Sequence, residues 1–146
     1  MLANLTIAFA LMAACVFVHA AGVTSALRWT RSRADAAREF GGRVWLFVRI
    51  VSWIILFHLI EIVIWGAFYR ASGAIPDVQD SLYFSAVTYT TTGYGDLVLP
   101  EAWRLIGGVE ALTGILLCGW STGFFFAVVR GLERTVEQAP DSREGR

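Results

Sequence analysis

Apolar residues run along this chain in stretches much longer than a helix or strand of a water-soluble domain requires. Leu2–Leu27 carries no charged residue, and only Asn4, Thr6, His19, Thr24 and Ser25 interrupt it with polar groups. Val44–Tyr69 is equally long and holds Arg49, His58 and Glu61, and Trp103–Val129 holds Arg104 and Glu110 near its start. A bilayer core about 30 Å thick needs roughly 20 apolar residues in a helix, so each stretch is long enough to span. The pattern predicts transmembrane helices over residues 1–28, 44–69 and 103–130. A fourth segment is different. Pro76-Asp77 marks a turn, Asp77 and Asp80 suit a helix N-terminus, and Val78–Thr90 is semi-apolar with no Gly or Pro. A helix over 78–90 would be about 20 Å long, enough to enter a bilayer but not to cross it.

Composition supports a membrane protein. Of 146 residues, 56% are hydrophobic and 16% charged, against roughly 45–50% and about 25% in soluble domains. A soluble enzyme of this size could not bury so much apolar surface. Twelve basic residues, all Arg, balance twelve acidic ones, so net charge points to no nucleic-acid partner. Cys15 and Cys118 lie within apolar runs, which argues against a disulfide framework or a CxxC metal site. No basic residue precedes Leu2 and the arginines follow the apolar run, so the first stretch reads as a retained helix rather than a cleaved signal.

Arginine placement sets the expected orientation. Arg28, Arg31, Arg33, Arg38 and Arg43 crowd the first connection, and Arg130, Arg134, Arg143 and Arg146 follow the third span. By the positive-inside rule the linker 29–43 and the tail 131–146 are cytoplasmic, and the N-terminus and segment 70–102 face outward. Ala34, Ala36 and Ala37 suggest a short surface helix ending at Gly41-Gly42. The tail is too short for a folded ligand-binding domain. A voltage sensor would need arginines at every third position of a spanning helix, and the first span has none.

The half-length helix runs directly into Thr91-Thr92-Gly93-Tyr94-Gly95-Asp96. Non-helical backbone at membrane depth is tolerated only where it is buried in protein or lines a watery cavity. Alternating glycines permit positive φ, which lets successive carbonyls point one way. Four such strands around an axis would stack rings of oxygens able to replace the hydration shell of an ion. One such segment per chain cannot enclose an axis, so a homotetramer follows.

This segment, between two spanning helices, resembles the signature of the potassium-channel pore-domain family, and the resemblance covers about residues 44–130. His58-Leu59-Ile60-Glu61, Tyr83-Phe84-Ser85, Trp103-Arg104-Leu105 and Gly119-Trp120-Ser121-Thr122 are similar to small bacterial channel proteins with an extra N-terminal helix. The implied fold is an all-α membrane protein: a peripheral helix 1–28, outer helix 44–69, re-entrant pore helix 78–90, selectivity filter 91–96 and inner helix 103–130. The resemblance implies potassium ligands at the carbonyls of Thr91, Thr92, Gly93 and Tyr94 and the Thr91 hydroxyl, with Gly95 completing the filter. Tyr83, Phe84, Val87 and Asp96 would support it, and the Tyr94 ring would pack on Tyr83 or Phe84. Two positions depart from the family pattern. Thr92 replaces the usual Val or Ile, and Val87 stands where some relatives place a carboxylate facing Asp96.

The resulting expectation is passive, selective potassium conduction in the plasma (inner) membrane. Lipid and potassium ions would be the partners, with no cofactor, organic substrate, nucleic acid or covalent chemistry. A less selective cation channel and a non-conducting subunit or scaffold are the alternatives. A transporter would normally need several filter repeats or a partner, and an enzyme would have only His58, Glu61 and Glu110 to work with.

Those three residues are intramembrane polar groups, which are costly and by default functional. A hydrogen-bonded clasp between outer, pore and inner helices is the preferred reading. A His–Glu–Glu metal site and a protonation-sensitive gate are the other two. Gly114 and Gly119 in the inner helix are candidate gating hinges or close-packing sites. Trp29, Trp45, Trp65, Trp103 and Tyr69 read as interfacial anchors.

Overall fold

The first proline is Pro76, so nothing in the first two apolar stretches breaks a helix. The computed structural model describes residues 2–32 and 40–137, and among them all regular structure is helical. Helix α1 spans Leu2–Arg31, α2 Phe40–Ala71, α3 Val78–Tyr89 and α4 Arg104–Glu137, the last entered through a 3-10 turn at Glu101–Trp103. Three of these, α1, α2 and α4, are long and apolar enough to cross a membrane. The chain is an all-α membrane protein.

The helices outrun the apolar stretches. Helix α2 begins at Phe40 rather than residue 44, and α4 continues to Glu137 rather than 130. Hydropathy detects the part in lipid, whereas backbone hydrogen bonding continues into water wherever Gly or Pro does not stop it. Gly41-Gly42 lie in the first turn of α2 instead of ending a helix before it. The surface helix expected around Ala34, Ala36 and Ala37 and the end of the tail fall outside the described residues.

Helix α2 stops where Gly73 turns left-handed (φ 72°), its N–H on Arg70 O. Asp77 then caps α3, its Oδ1 accepting from Asp80 N at 2.9 Å. With 12 residues, α3 is about 18 Å long.

Helix α1 packs on α2 and α4 of its own chain. Toward the N-terminal end of α1 an apolar cluster gathers Ala8, Cys15, Trp65, Tyr69, Phe84, Tyr89, Leu99, Ile106 and Leu117. At the opposite end Val23, Leu46, Ile50, Phe124 and Val128 form a second. Asn4 Nδ2 donates to Ala102 O at 2.8 Å, which puts the start of α1 on the same side as the segment joining α3 to α4. At the other end the Arg49 guanidinium lies 4.8 Å from the ring centroids of both Trp29 and Trp45, a cation–π contact that ties α1 to α2. Trp65 and Tyr69 are wholly buried, so they are core residues and not interfacial anchors. Hydropathy does not separate those two roles.

Candidate functional site

The last turn of α3 holds the segment that follows it. Thr91 N donates to Thr88 O at 2.9 Å, and Thr92 N and Gly93 N donate to Val87 O at 2.9 and 3.1 Å. The helix's terminal carbonyls, which have no partner within it, are thereby satisfied by N–H groups of the segment. Thr91, Gly93 and Gly95 have φ of 59°, 52° and 77°. Among the described residues Thr91 is the one non-glycine at positive φ. Left- and right-handed conformations therefore alternate from 91 to 95. Alternation of this kind turns each peptide plane over, so carbonyls gather on one side and N–H groups on the other. With its first N–H groups turned back onto α3, the segment has carbonyls from Thr91 to Gly95 that accept no hydrogen bond among the described residues. All five residues are exposed in the single chain. A row of unpartnered carbonyls can coordinate a dehydrated cation once other strands complete the shell.

A family model described as "Ion channel" matches residues 44–131. The chain belongs to this ion-channel family. No curated protein and no solved structure matches the chain. The match begins after α1, so the first helix of the channel lies outside the part that defines the family.

Around the segment 91–96 the side chains of α3 are engaged as follows within the single chain. The Tyr94 ring does not pack on Tyr83 or Phe84 in the chain and is 71% exposed. Both intended partners are engaged elsewhere. Phe84 meets Tyr69 edge-on at 5.2 Å between centroids, and the Tyr83 hydroxyl donates to Asp96 Oδ2 at 2.6 Å. That bond holds the Asp96 carboxyl below the ordinary carboxylate range and the Tyr83 phenol above its own. It braces the far end of the segment 91–96 from α3, where Val87 offers no carboxylate. The Thr92 hydroxyl lies 3.0 Å from that of Thr90, which donates to Ala86 O.

The clasp expected from His58, Glu61 and Glu110 is two separate networks. Glu110, fully buried, takes the Tyr69 hydroxyl at 2.7 Å and meets Ser85 Oγ at 2.5 Å. Ser85 Oγ also lies 2.8 Å from Ile62 O. The second network lies between the two apolar clusters and gathers His58 and Glu61 with Tyr89, Ser121 and His19. Helical spacing correctly put His58 beside Glu61, but the relative register of α2 and α4, which spacing does not fix, separates Glu110 from them. His19 occupies the place given to Glu110. The signal for it was present, because a lone histidine in an otherwise charge-free span must find a polar partner.

The two hinge candidates differ sharply. A Cβ at Gly114 would lie 1.9 Å from Tyr89 O, whereas one at Gly119 would meet nothing within 4 Å. Gly114 is where α4 touches the backbone of α3.

Proposed function

We propose that this channel is a homotetramer that conducts potassium passively and selectively across the plasma membrane. Four filters meet around the axis, and the carbonyls of Thr91, Thr92, Gly93 and Tyr94, with the Thr91 hydroxyl, stand in for the water around the ion. The observation that carries this reading is the alternation of positive φ at Thr91, Gly93 and Gly95, with the backing N–H groups tied to α3. Helix α3 points the partially negative end of its dipole toward mid-membrane, which favours a cation below the filter. Exposed Tyr94 packs on the neighbouring subunit. Arginine placement puts the N-terminus and the filter mouth outside and the C-terminus in the cytoplasm. No covalent chemistry or cofactor is needed.

Reversal potential of the purified protein in planar bilayers under opposed potassium and sodium gradients tests the proposal. It should track the potassium gradient and ignore sodium. A reversal near zero with equal concentrations of the two ions on opposite sides would leave a less selective cation channel, and no current from an intact oligomer would leave a scaffold of the same fold.

A further inference from the structure

Proton counting in the buried network between the apolar clusters shows how few arrangements serve it. Glu61 Oε1 lies 2.9 Å from His19 Nδ1, and Oε2 lies 3.1 Å from His58 Nδ1 and accepts the Tyr89 hydroxyl. The Tyr89 hydroxyl is also 2.9 Å from His58 Nδ1. On the far side of both rings, Nε2 of His19 and Nε2 of His58 each lie 3.1 Å from Ser121 Oγ. A neutral imidazole has one proton for two nitrogens. With both protons on Nδ1, Glu61 is served, but two bare Nε2 atoms share the single proton of Ser121. With both on Nε2, Ser121 accepts through its two lone pairs, but two bare Nδ1 atoms then face a carboxylate. A mixed pair of tautomers serves every nitrogen, with His19 Nδ1–H on Glu61, Ser121 on His19 Nε2, His58 Nε2–H on Ser121 and Tyr89 on His58 Nδ1. It takes the Tyr89 proton from Glu61 Oε2, however, in a set where His19 and Glu61 are fully buried.

A cation among the two Nδ1 atoms and the carboxylate would serve all three groups at once and leave the Nε2–H groups to Ser121. We propose that His19, His58 and Glu61, with the Tyr89 hydroxyl, bind one divalent transition metal ion of the zinc type per chain. One donor atom from each of His19, His58 and Glu61 lies within 4.8 Å of the others. Metal–ligand bonds of about 2.0–2.1 Å place tetrahedral ligands roughly 3.4 Å apart. The Glu61–His19 and Glu61–His58 pairs would open by a few tenths of an ångström and the Tyr89–Glu61 pair by more, and no pair among His19, His58 and Glu61 would close by more than about 1.4 Å. Two imidazoles and one carboxylate favour zinc-like ions over calcium or magnesium, which prefer oxygen. Ser121 becomes the outer partner, accepting both Nε2–H groups and fixing both rings. The ligands come from α1, α2 and α3 and their outer partner from α4, so the ion pins the N-terminal helix to the channel domain.

The full-length protein, stripped with a chelator in detergent, is titrated with Co2+, and visible absorption is recorded. The expected result is the intense absorption of four-coordinate cobalt at about one equivalent per chain, displaced by Zn2+. His19→Ala and His58→Ala should abolish it, Ser121→Ala should weaken binding about 10–100-fold, and Glu110→Gln should leave it intact. Wild-type protein that stays folded by circular dichroism yet gives no cobalt spectrum overturns the proposal, and an added proton then completes the network. That measurement needs no variant to fold. An unchanged spectrum in His19→Ala also overturns it.

Discussion

Gly114→Ala is the sharpest test of how the inner helix meets the pore helix. The added methyl would sit 1.9 Å from Tyr89 O, 2.8 Å from Tyr89 C and 3.1 Å from its Cα. A carbon–oxygen contact settles near 3.3 Å, so α4 and the end of α3 must part by about 1.4 Å. The obstacle is backbone and cannot swing aside. Overpacking of this kind costs about 1–3 kcal/mol, and a rigid obstacle puts it at the upper end. Replacing Gly by Ala within a helix returns up to about 1 kcal/mol, which leaves a net loss of about 2 kcal/mol. The displaced turn is the one whose carbonyls hold the N–H groups of Thr91, Thr92 and Gly93, so filter geometry moves with it. Gly119→Ala is the matched control, because its methyl meets nothing and it keeps the helix-propensity gain. Thermal unfolding in detergent and potassium flux into liposomes are measured on both variants. Gly114→Ala should melt lower and lose flux. Gly119→Ala should melt no lower, so any change in its flux reports a hinge and not packing. Wild-type melting and flux in Gly114→Ala would refute the packing argument.

Gly93→Ala places a side chain at φ 52°, at a cost of about 1–2 kcal/mol; selective flux should vanish while size-exclusion chromatography still shows the oligomer, and unaltered selectivity would sink the filter assignment. Glu110→Ala strips the buried partner from the Tyr69 hydroxyl, at about 1–3 kcal/mol, and leaves Ser85 its bond to Ile62 O, whereas Glu110→Gln keeps a donor and an acceptor there. The Ala variant should melt well below the Gln variant, and equal melting would contradict the network. The Tyr83–Asp96 bond holds the Asp96 carboxyl below its usual range, so its stabilisation is full above about pH 4 and is lost as pH falls through the lowered value. The Tyr83 phenol is held above its usual value, so the alkaline loss comes only above about pH 10. Filter currents should accordingly hold through neutral pH and decline in strong external acid, and Tyr83→Phe should show at neutral pH what the wild type shows in acid. A Phe variant with wild-type currents and acid response would remove the brace from the account.

The three spans and the half-length helix were legible because lipid imposes an apolar stretch of fixed length and because Pro76 and Asp77 mark the start of α3. Helix ends were not, since Phe40 and Glu137 lie beyond the apolar stretches. Left-handed Gly93 and Gly95 could be anticipated from residue type alone. Thr91 could not, because a β-branched residue avoids φ near 59° unless its surroundings hold it. Here they do, through its own N–H on Thr88 O and the two N–H groups that follow it on Val87 O. The Tyr83–Asp96 brace was equally hidden. Residue type places an aromatic ring at Tyr83 but does not say where its hydroxyl points.

His19 and Gly114 meet at Tyr89, Gly114 directly and His19 through Glu61. The backbone carbonyl of Tyr89 is the surface on which Gly114 of α4 rests. Its side chain enters the network of Glu61 and His58, to which His19 of α1 is joined through Glu61. Two residues further on, Thr91 starts the alternating backbone. One turn of α3 is thus in contact with α1's network, α2, α4 and the filter at once. The end of α3 is linked with groups from all three long helices and not with α2 and α4 alone. This contiguity also accounts for a costly polar layer midway through the membrane. An apolar layer would pack there as well, but hydrogen-bonding groups fix distance and angle more tightly than apolar contacts do, and the turn they hold is the one whose carbonyls accept from Thr91, Thr92 and Gly93.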